Sequence, residues 1–189
     1  MSGASRLPLF TIGHGTLSTD EFITRLQAAG VTCLIDVRSF ARSRTNPQFN
    51  EDRLPQALAA HGIGYAHVAD LGGRRARQRA VAPEVNGWWD NASFHNYADW
   101  ALQPPFRAAL ARLREQGQRQ RCAIMCAESV WWRCHRRIIA DHLLAAGETV
   151  RHIMDAGIDE AHLTPAAQVH ADGTVSYPAP QRSLNLETP

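Results

Sequence analysis

Short apolar runs alternate with amphipathic stretches along most of this chain, and this alternation constrains the fold more than any other feature. Residues 31–37 form a nearly continuous apolar run, which is typical of a strand buried on both faces of a parallel sheet. The amphipathic stretches between such runs indicate helices. Because strands that alternate with helices build βαβ units, the pattern predicts a single three-layer α/β/α domain. Its mainly parallel sheet is predicted to have about five strands.

The pattern also predicts where these elements lie. Strands are predicted at residues 7–12, 31–37, 63–68, 121–126 and 149–154. Helices are predicted from Ser18 to Gly30, from near Asp52 to Gly62, and over residues 91–101, 106–116 (closed by Gly117) and 134–146. Glu21 completes a capping box with Ser18 at the start of the first helix.

The C-terminal part of the chain carries fewer signals. The Asp172-Gly173 turn favours a small hairpin. We expect residues 1–177 to form the single domain and residues 178–189 to form a loose C-terminal tail.

Composition narrows the classes of function. With 189 residues, 44% of them hydrophobic, the chain suits one domain with a substantial core. A net charge of +2 excludes a uniformly basic nucleic-acid-binding surface, although it allows a local basic patch. All 20 basic residues are arginines, so every side-chain cation is a planar, permanently charged group that suits phosphate or carboxylate.

The sequence predicts a cytoplasmic protein that does not enter a membrane. Residues 1–10 lack the basic stretch and apolar run of a signal peptide. No apolar run approaches the roughly 18 residues that crossing a bilayer requires. The four cysteines are too few for the disulfide framework of a small secreted protein: Cys33, Cys122, Cys126 and Cys134.

The segment after the fourth predicted strand carries the densest set of reactive side chains: Cys126, Glu128, Cys134, His135 and Arg136. Where a strand leads into a helix, the helix amides and nearby guanidinium groups lower the pKa of a thiol and hold an anion. We expect Cys126 to be a nucleophile or redox thiol with a lowered pKa, and Cys134 to be its resolving thiol. Glu128 or His135 would carry the proton.

Two observations leave other interpretations open. Cysteine phosphatases and rhodanese-type sulfurtransferases share this strand–loop–helix architecture, but the interval from Cys126 to Arg133 is one residue longer than in the phosphatases. Cys126 can also be a small apolar side chain at a strand end, as free cysteines often are.

No metal site and no cofactor is predicted. On a helix, Cys134 and His135 would point about 100° apart, and no Cys-x-x-Cys or His-x-x-x-His pair supports them. A metal would need a further ligand such as His14 or His67.

A second chemistry-bearing segment follows the second predicted strand. Asp36 ends a buried strand, where a carboxylate needs a partner or a catalytic role, and Arg38, Arg42 and Arg44 follow it closely. This density of guanidinium groups favours recognition of a phosphate or carboxylate, with Arg38 and Arg44 holding the anion. The alternative is a structural pair between Asp36 and an arginine beside a solvated loop.

Two further segments contain candidate functional residues. His14 lies between two glycines at the end of the first predicted strand, where a histidine with a pKa near neutrality can serve as acid, base or ligand. The loop that begins Leu71-Gly72-Gly73 places four arginines within residues 74–79, and Trp88-Trp89 follow. These features are typical of either a nucleic-acid patch or a solvated loop, and the double glycine indicates close backbone approach.

The ordered set of these motifs resembles the bacterial and archaeal DUF488 family. The motifs are Thr-Ile-Gly-His at residues 11–14, Asp36-Val37-Arg38-Ser39, Ser43-Arg44, Phe49, Gly62-Ile63-Gly64-Tyr65, Leu71-Gly72-Gly73, Cys126-Ala127-Glu128 and Cys134-His135-Arg136. The resemblance covers roughly residues 9–155 and implies a single, usually intracellular α/β domain. Gly15 and Ala41 replace the serine and proline that are common in the family.

The resemblance carries several residues over to this chain as candidates. Among the matching residues, we expect catalytic roles for His14, Asp36, Cys126, Glu128, Cys134 and His135. We expect substrate-binding roles for Arg38, Ser43, Arg44 and Arg136. Because the family has no established activity, it does not supply a reaction.

The function expected from these residues is catalysis on a small or terminal anionic substrate at the carboxyl edge of the sheet. Cys126 would form an adduct in a transfer, hydrolysis or redox step. One alternative is a nucleic-acid-binding or repair-associated module that uses arginines and tryptophans. Another is a redox sensor that uses Cys126 and Cys134 without turnover.

Overall fold

A six-stranded sheet lies at the centre of the computed structural model, which describes residues 6–180. Its strands are β1 (Leu9–Gly13), β2 (Cys33–Asp36), β3 (Gly64–His67), β4 (Cys122–Cys126), β5 (Val150–Met154) and β6 (Gly157–Glu160). They are arranged in the order β3-β2-β4-β1-β5-β6. The first five pair in parallel, which confirms the predicted sheet.

The sequence analysis did not identify β6, which pairs antiparallel to β5 at one edge of the sheet. All four of its residues are exposed, so the strand lacks the apolar pattern on which the prediction relied.

Within residues 6–180, five helices cover the two faces of the sheet: α1 (Thr19–Ala28), α2 (Leu54–Ala59), α3 (Ala92–Ala101), α4 (Pro104–Arg119) and α5 (Arg136–Ala145). One apolar core contains side chains of α1 and α2, and the other contains side chains of α3, α4 and α5. Consecutive strand residues such as Leu34 and Ile35 face opposite sides of the sheet and so enter opposite cores. The predicted three-layer arrangement is therefore confirmed.

Helix boundaries agree with the sequence where local chemistry determines them. The Ser18–Glu21 capping box is present, and Gly30 follows α1 with a φ of +66°. Two helices have boundaries that differ from the prediction. Helix α4 begins at Pro104, because proline is tolerated in a first turn, and it continues past Gly117. Helix α5 begins at Arg136 rather than at residue 134.

The C-terminal region forms the small hairpin that the Asp172-Gly173 turn predicts, with strands β7 (Gln168–Val169) and β8 (Val175–Ser176). Residues 178–180 have no regular structure, and residues 181–189 of the predicted tail lie outside the described residues. None of the described helices has the length and apolar character needed to cross a membrane.

The topology positions one region of the sheet for ligand binding. Strands β1 and β4 are neighbours, and Gly13 at the end of β1 is in register with Cys126 at the end of β4. From β1 the chain continues into α1 on one face, whereas from β4 it continues into α5 on the other face. Such a divergence opens a crevice at the carboxyl ends of parallel strands, where ligands bind in open α/β sheets.

We expect acid to destabilise this fold through its buried histidines. In α5, His142 is 2% exposed, and burial lowers its pKa to about 4. The unfolded chain binds this proton near pH 6.5, so the stability that His142 provides is present above that pH and is lost as the pH falls towards 4.

Replacing His142 with leucine should remove this dependence. Relative to His142→Leu, the wild-type free energy of unfolding should fall by about 1.4 kcal/mol per pH unit below the ordinary histidine pKa. Urea unfolding of both proteins between about pH 7 and pH 5 measures this difference. Parallel pH profiles for the two proteins would contradict the assignment.

Candidate active site

A cleft of about 580 Å³ opens at the carboxyl edge of the sheet. Its floor contains both sulfurs of the β4–α5 segment, and its walls come from the loops after β2 and β3 and from α3. The lining residues include Arg38, Ser39, Phe40, Arg42, Ser43, Gly73, Arg74, Phe94, Tyr97, Cys126, Glu128, Arg133, Cys134 and His135. The structure thus brings together side chains from three of the four segments that the sequence analysis selected.

The loop after β4 lies directly on the end of β1. A Cβ atom at Gly13 would lie 1.8 Å from the carbonyl oxygen of Glu128, so only glycine allows this approach. Two backbone hydrogen bonds fix the crossing: the His14 N–H donates to the Cys126 carbonyl, and the Gly15 N–H donates to the Ala127 carbonyl. The loop that carries Cys126 is therefore held by β1.

The imidazole of His135 faces both thiols on the floor of the cleft. Its Nδ1 lies 3.8 Å from Sγ of Cys126 and 3.5 Å from Sγ of Cys134. Its Nε2 lies 2.9 Å from the Val37 carbonyl oxygen. Because a carbonyl only accepts, Nε2 carries a proton, and Nδ1 faces the two sulfurs. His135 is thus placed to accept a thiol proton.

The guanidinium of Arg136 lies behind the sulfurs and is fully buried. Its Nε donates to Sγ of Cys134 at 3.3 Å, and its other nitrogens donate to Oγ1 of Thr11 and to the Glu128 carbonyl. No carboxylate of residues 6–180 forms an ion pair with it. Because an uncompensated buried charge is costly, the group best placed to balance Arg136 is a thiolate on Cys134.

The two thiols are therefore not equivalent. Although burial opposes ionisation, the neighbouring Cys126 thiol, His135 and Arg136 hold the pKa of Cys134 well below its ordinary value. The interaction with Cys134, together with burial, raises the pKa of Cys126. The sequence analysis expected a lowered pKa at Cys126, and the structure places it at Cys134, because Arg136 contacts that sulfur.

Asp36 is fully buried and its carboxylate is saturated with hydrogen bonds. It accepts from the Arg38 backbone N–H at 3.1 Å, from Nε and Nη2 of the same arginine, and from the Tyr65 hydroxyl at 2.8 Å. Nη2 of Arg38 also donates to the Phe49 carbonyl at 2.7 Å. Only Nη1 of Arg38 has no partner among the described residues. This geometry is that of a structural pair that holds Arg38 at the wall of the cleft.

His14 does not line the cleft. Its ring is 1% exposed and stacks on Phe49 with the centroids 4.3 Å apart, and Nδ1 donates to the Gly15 carbonyl at 2.9 Å. Burial lowers its pKa to about 4 rather than leaving it near neutrality. The imidazole is therefore neutral at physiological pH.

The predicted substrate-binding residues occupy different positions. Ser43 lines the cleft, and its hydroxyl accepts a hydrogen bond from the Asn46 N–H. Arg44 is exposed and lies outside the cleft lining. Arg136 also lies outside the lining, because its donors are directed to Cys134, Thr11 and the loop backbone.

The sequence analysis missed Arg74 as a cleft residue and gave no role to Arg133. Arg42, which also lines the cleft, is paired with Glu51. Arg74 and Arg133 form no ion pair within residues 6–180, and Arg74 lies over the Phe40 ring at 5.9 Å. Among the described residues, two of the four lining arginines thus remain available to an anion, and Glu128 is the one carboxylate of the lining.

The double glycine of the β3–α3 loop approaches other backbone and ring atoms closely, as predicted. A Cβ at Gly72 would lie 2.7 Å from Cα of Ser39, and one at Gly73 would lie 2.5 Å from Nδ1 of His135. The loop therefore packs against the site. The following Arg75 stacks on Trp100 at 4.0 Å.

The tryptophans after this loop pack within the protein. Trp89 is 8% exposed and stacks on Phe94, and Arg137 lies over the rings of Trp88 and Trp89. These contacts already cover much of the stacking surface that the nucleic-acid alternative requires.

Cys134 and His135 do not have the helical separation that the sequence predicts. Cys134 has an extended backbone (φ −127°, ψ 148°), and His135 is the N-cap of α5, so the 100° separation of a helix does not apply. Sγ of Cys126, Sγ of Cys134 and a ring nitrogen of His135 all lie within 4.8 Å of one another.

The comparisons with known proteins give one match. A family model described as "Domain of unknown function DUF488" matches residues 18–143, which are 126 of the 189 residues. No curated protein and no solved structure shows a significant similarity to the chain.

We expect Gly13→Ala to disrupt the site, because its Cβ would collide with the Glu128 carbonyl. The free energy of unfolding should fall by about 3 kcal/mol. The matched control is Gly64→Ala at the start of β3, where the nearest atom to the new Cβ is 3.7 Å away. Urea unfolding should show a change of at most about 1 kcal/mol for this control. Equal effects of the two substitutions would contradict the close crossing.

Proposed function

The chain belongs to the DUF488 family, which is defined by a domain of unknown function, and on that premise we propose that it is a cysteine-dependent enzyme. Its substrate would be a small molecule or chain end that carries a phosphate or carboxylate. The cleft would bind this anion, and Cys134 would attack the substrate. The observation that carries the proposal is the fully buried Arg136, which has no carboxylate partner within residues 6–180 and donates to Sγ of Cys134.

The charge of the cleft supports an anionic substrate. Asp36 neutralises Arg38 and Glu51 neutralises Arg42, so the available positive charge belongs to Arg74 and Arg133. Guanidinium groups bind phosphate and carboxylate through paired hydrogen bonds. The substrate would place its anionic group near these two side chains.

The proposed reaction has two steps. In the first, the thiolate of Cys134 forms a bond to an electrophilic atom of the substrate, and the bond from that atom to the leaving group breaks. The electron pair departs with the leaving group, which takes a proton from solvent. The fixed position of the thiolate beside the bound anion lowers the entropic part of the barrier.

In the second step, water attacks the same atom of the adduct. Glu128 lines the cleft, and no hydrogen bond joins its carboxylate to another described residue, so it is available to take the proton of the water. The bond to sulfur breaks, and the electron pair returns to Cys134, where Arg136 stabilises the thiolate. The sum of the two steps is hydrolysis; an acceptor other than water makes it a transfer.

A thiol–disulfide role is a second candidate, because the sulfurs of Cys126 and Cys134 lie within 4.8 Å. Formation of the disulfide from the Cys126 thiol and the Cys134 thiolate would give two electrons and one proton to an oxidant such as hydrogen peroxide, which takes a second proton from solvent and is reduced to water. Peptide mapping without reductant after peroxide treatment separates the candidates, since only this role requires a reversible bond between the two residues.

We expect Arg136 to keep Cys134 reactive at low pH. The iodoacetamide rate at Cys134, assigned by peptide mass spectrometry, should be nearly constant between about pH 8 and pH 6. In Arg136→Gln the thiol should protonate in this range, so its rate should fall about tenfold per pH unit. Arg136→Lys, which keeps the charge, should retain part of the wild-type profile.

Cys126→Ser keeps Arg136 in place and should remain reactive at Cys134, so it tests the same claim if Arg136→Gln fails to fold. A Cys134 in the folded Cys126→Ser protein with the pH profile of an ordinary thiol would overturn the proposal.

We expect inorganic phosphate to protect Cys134 from alkylation by occupying the cleft. Because a hydrogen bond to a charged group contributes about 1.5–3 kcal/mol, Arg133→Ala should weaken this protection about tenfold or more. The matched control is Arg44→Ala, an exposed arginine outside the cleft, which should leave protection unchanged. Competition by phosphate measured in the three proteins decides the point, and equal protection in all three would place the anion elsewhere.

A further inference from the structure

We propose that Cys126, Cys134 and His135 form a binding site for a soft divalent cation, of which Zn²⁺ is the natural occupant. The three residues supply two sulfurs and one ring nitrogen, and the fourth position of a tetrahedral ion would be open to the cleft. This inference concerns the same sulfurs as the proposed enzyme but does not rest on that function.

The two distances from the ring nitrogen fit a tetrahedral ion. For bond lengths of about 2.3 Å to sulfur and about 2.05 Å to nitrogen, the edge between nitrogen and sulfur is about 3.6 Å. The observed separations from Nδ1 of His135 are 3.8 Å to Cys126 and 3.5 Å to Cys134. The two sulfurs lie within 4.8 Å of each other, whereas the sulfur–sulfur edge of the same tetrahedron is about 3.8 Å, so an ion would draw the sulfurs together by at most about 1 Å.

The orientation of His135 also matches that of a metal-binding imidazole. Such a ring presents one nitrogen to the ion and donates a hydrogen bond from the other to a carbonyl or carboxylate. Nε2 of His135 makes this bond to the Val37 carbonyl at 2.9 Å. Gly73 presses on the same ring, and Tyr97 contacts it edge-to-face with the centroids 5.0 Å apart, so the ring is fixed before an ion arrives.

The sulfur of Cys134 also receives a supporting hydrogen bond. Nε of Arg136 donates to Sγ of Cys134 at 3.3 Å. Zn²⁺ with two thiolates and a neutral imidazole has no net charge, so Arg136 leaves one positive charge at the centre. That charge favours an anion or hydroxide at the open position, on the side that faces Arg74 and Arg133.

Binding of the cation would prevent both thiols from reacting as nucleophiles. Both sulfurs would bond to the ion, and the proton of any protonated thiol would pass to solvent. Zn²⁺ and iodoacetamide would then compete for the same two atoms. The metal-free and metal-bound forms are thus chemically distinct states of one site.

The experiment uses the full-length protein, freed of metal by a chelator and then titrated with Co²⁺ and with Zn²⁺. We expect one Co²⁺ per chain with the visible absorption of a tetrahedral thiolate complex, which Zn²⁺ should displace. Zn²⁺ should also slow alkylation of Cys126 and Cys134. Cys126→Ser, Cys134→Ser and His135→Gln should each weaken Zn²⁺ binding by about two orders of magnitude.

The matched control is Cys122→Ser. Cys122 begins β4 and is in register with Cys33, which begins β2. The cleft lies at the other ends of these strands, so this second pair of cysteines is remote from it. Zn²⁺ affinity should be unchanged in this variant. Absence of the thiolate spectrum, or an equal loss of affinity in Cys122→Ser and Cys134→Ser, would overturn the metal site. The proposed enzyme would survive that result if Cys134 still alkylates at low pH.

Discussion

The buried guanidinium of Arg136 is the interaction on which the rest of the site depends. It reaches Thr11 on β1, the Glu128 carbonyl on the loop after β4, and the sulfur of Cys134 before α5. Since β1 and β4 are already paired through Gly13 and Cys126, these bonds fix the loop against the sheet. The positive charge that holds this loop is the same charge that selects the thiolate form of Cys134.

The protein balances two buried arginines near the cleft in two different ways. Arg38 has a carboxylate partner, Asp36, and this pair supports a wall of the cleft. Arg136 has no carboxylate within residues 6–180, and a sulfur takes that place. A carboxylate neutralises a guanidinium without introducing a strong nucleophile. A thiolate is a nucleophile and a metal ligand, so the second arrangement carries chemistry that the first does not.

Much of the fold could be predicted because local patterns determine it. The apolar run at residues 31–37 produced a strand in the interior of the sheet, and the Ser18–Glu21 box began a helix where expected. Strand β6 could not be found, because its exposed residues carry no pattern and only pairing with β5 makes it a strand. Gly117 did not end α4, because it provides space for Leu9 inside a continuing helix.

The sequence indicated where the site lies but not how its side chains are arranged. The carboxyl edge followed from parallel strands, and it does bring Arg38, Cys126 and His135 to one cleft. Which arginines face that cleft depends on loop paths, so Arg44 was selected and Arg74 was missed. The roles of the two thiols depend on which sulfur Arg136 reaches, and that contact depends on α5 beginning at Arg136.

The ultraviolet absorbance of thiolate in the folded, metal-free protein, measured as a function of pH, tests the thiolate at Cys134 most directly. We expect one thiolate at neutral pH that disappears in Cys134→Ser and persists in Cys33→Ser. Acid should remove this absorbance only well below the ordinary pKa of a thiol. A wild-type protein with no thiolate absorbance at neutral pH, or with absorbance that Cys134→Ser leaves unchanged, would show that Cys134 is not a thiolate.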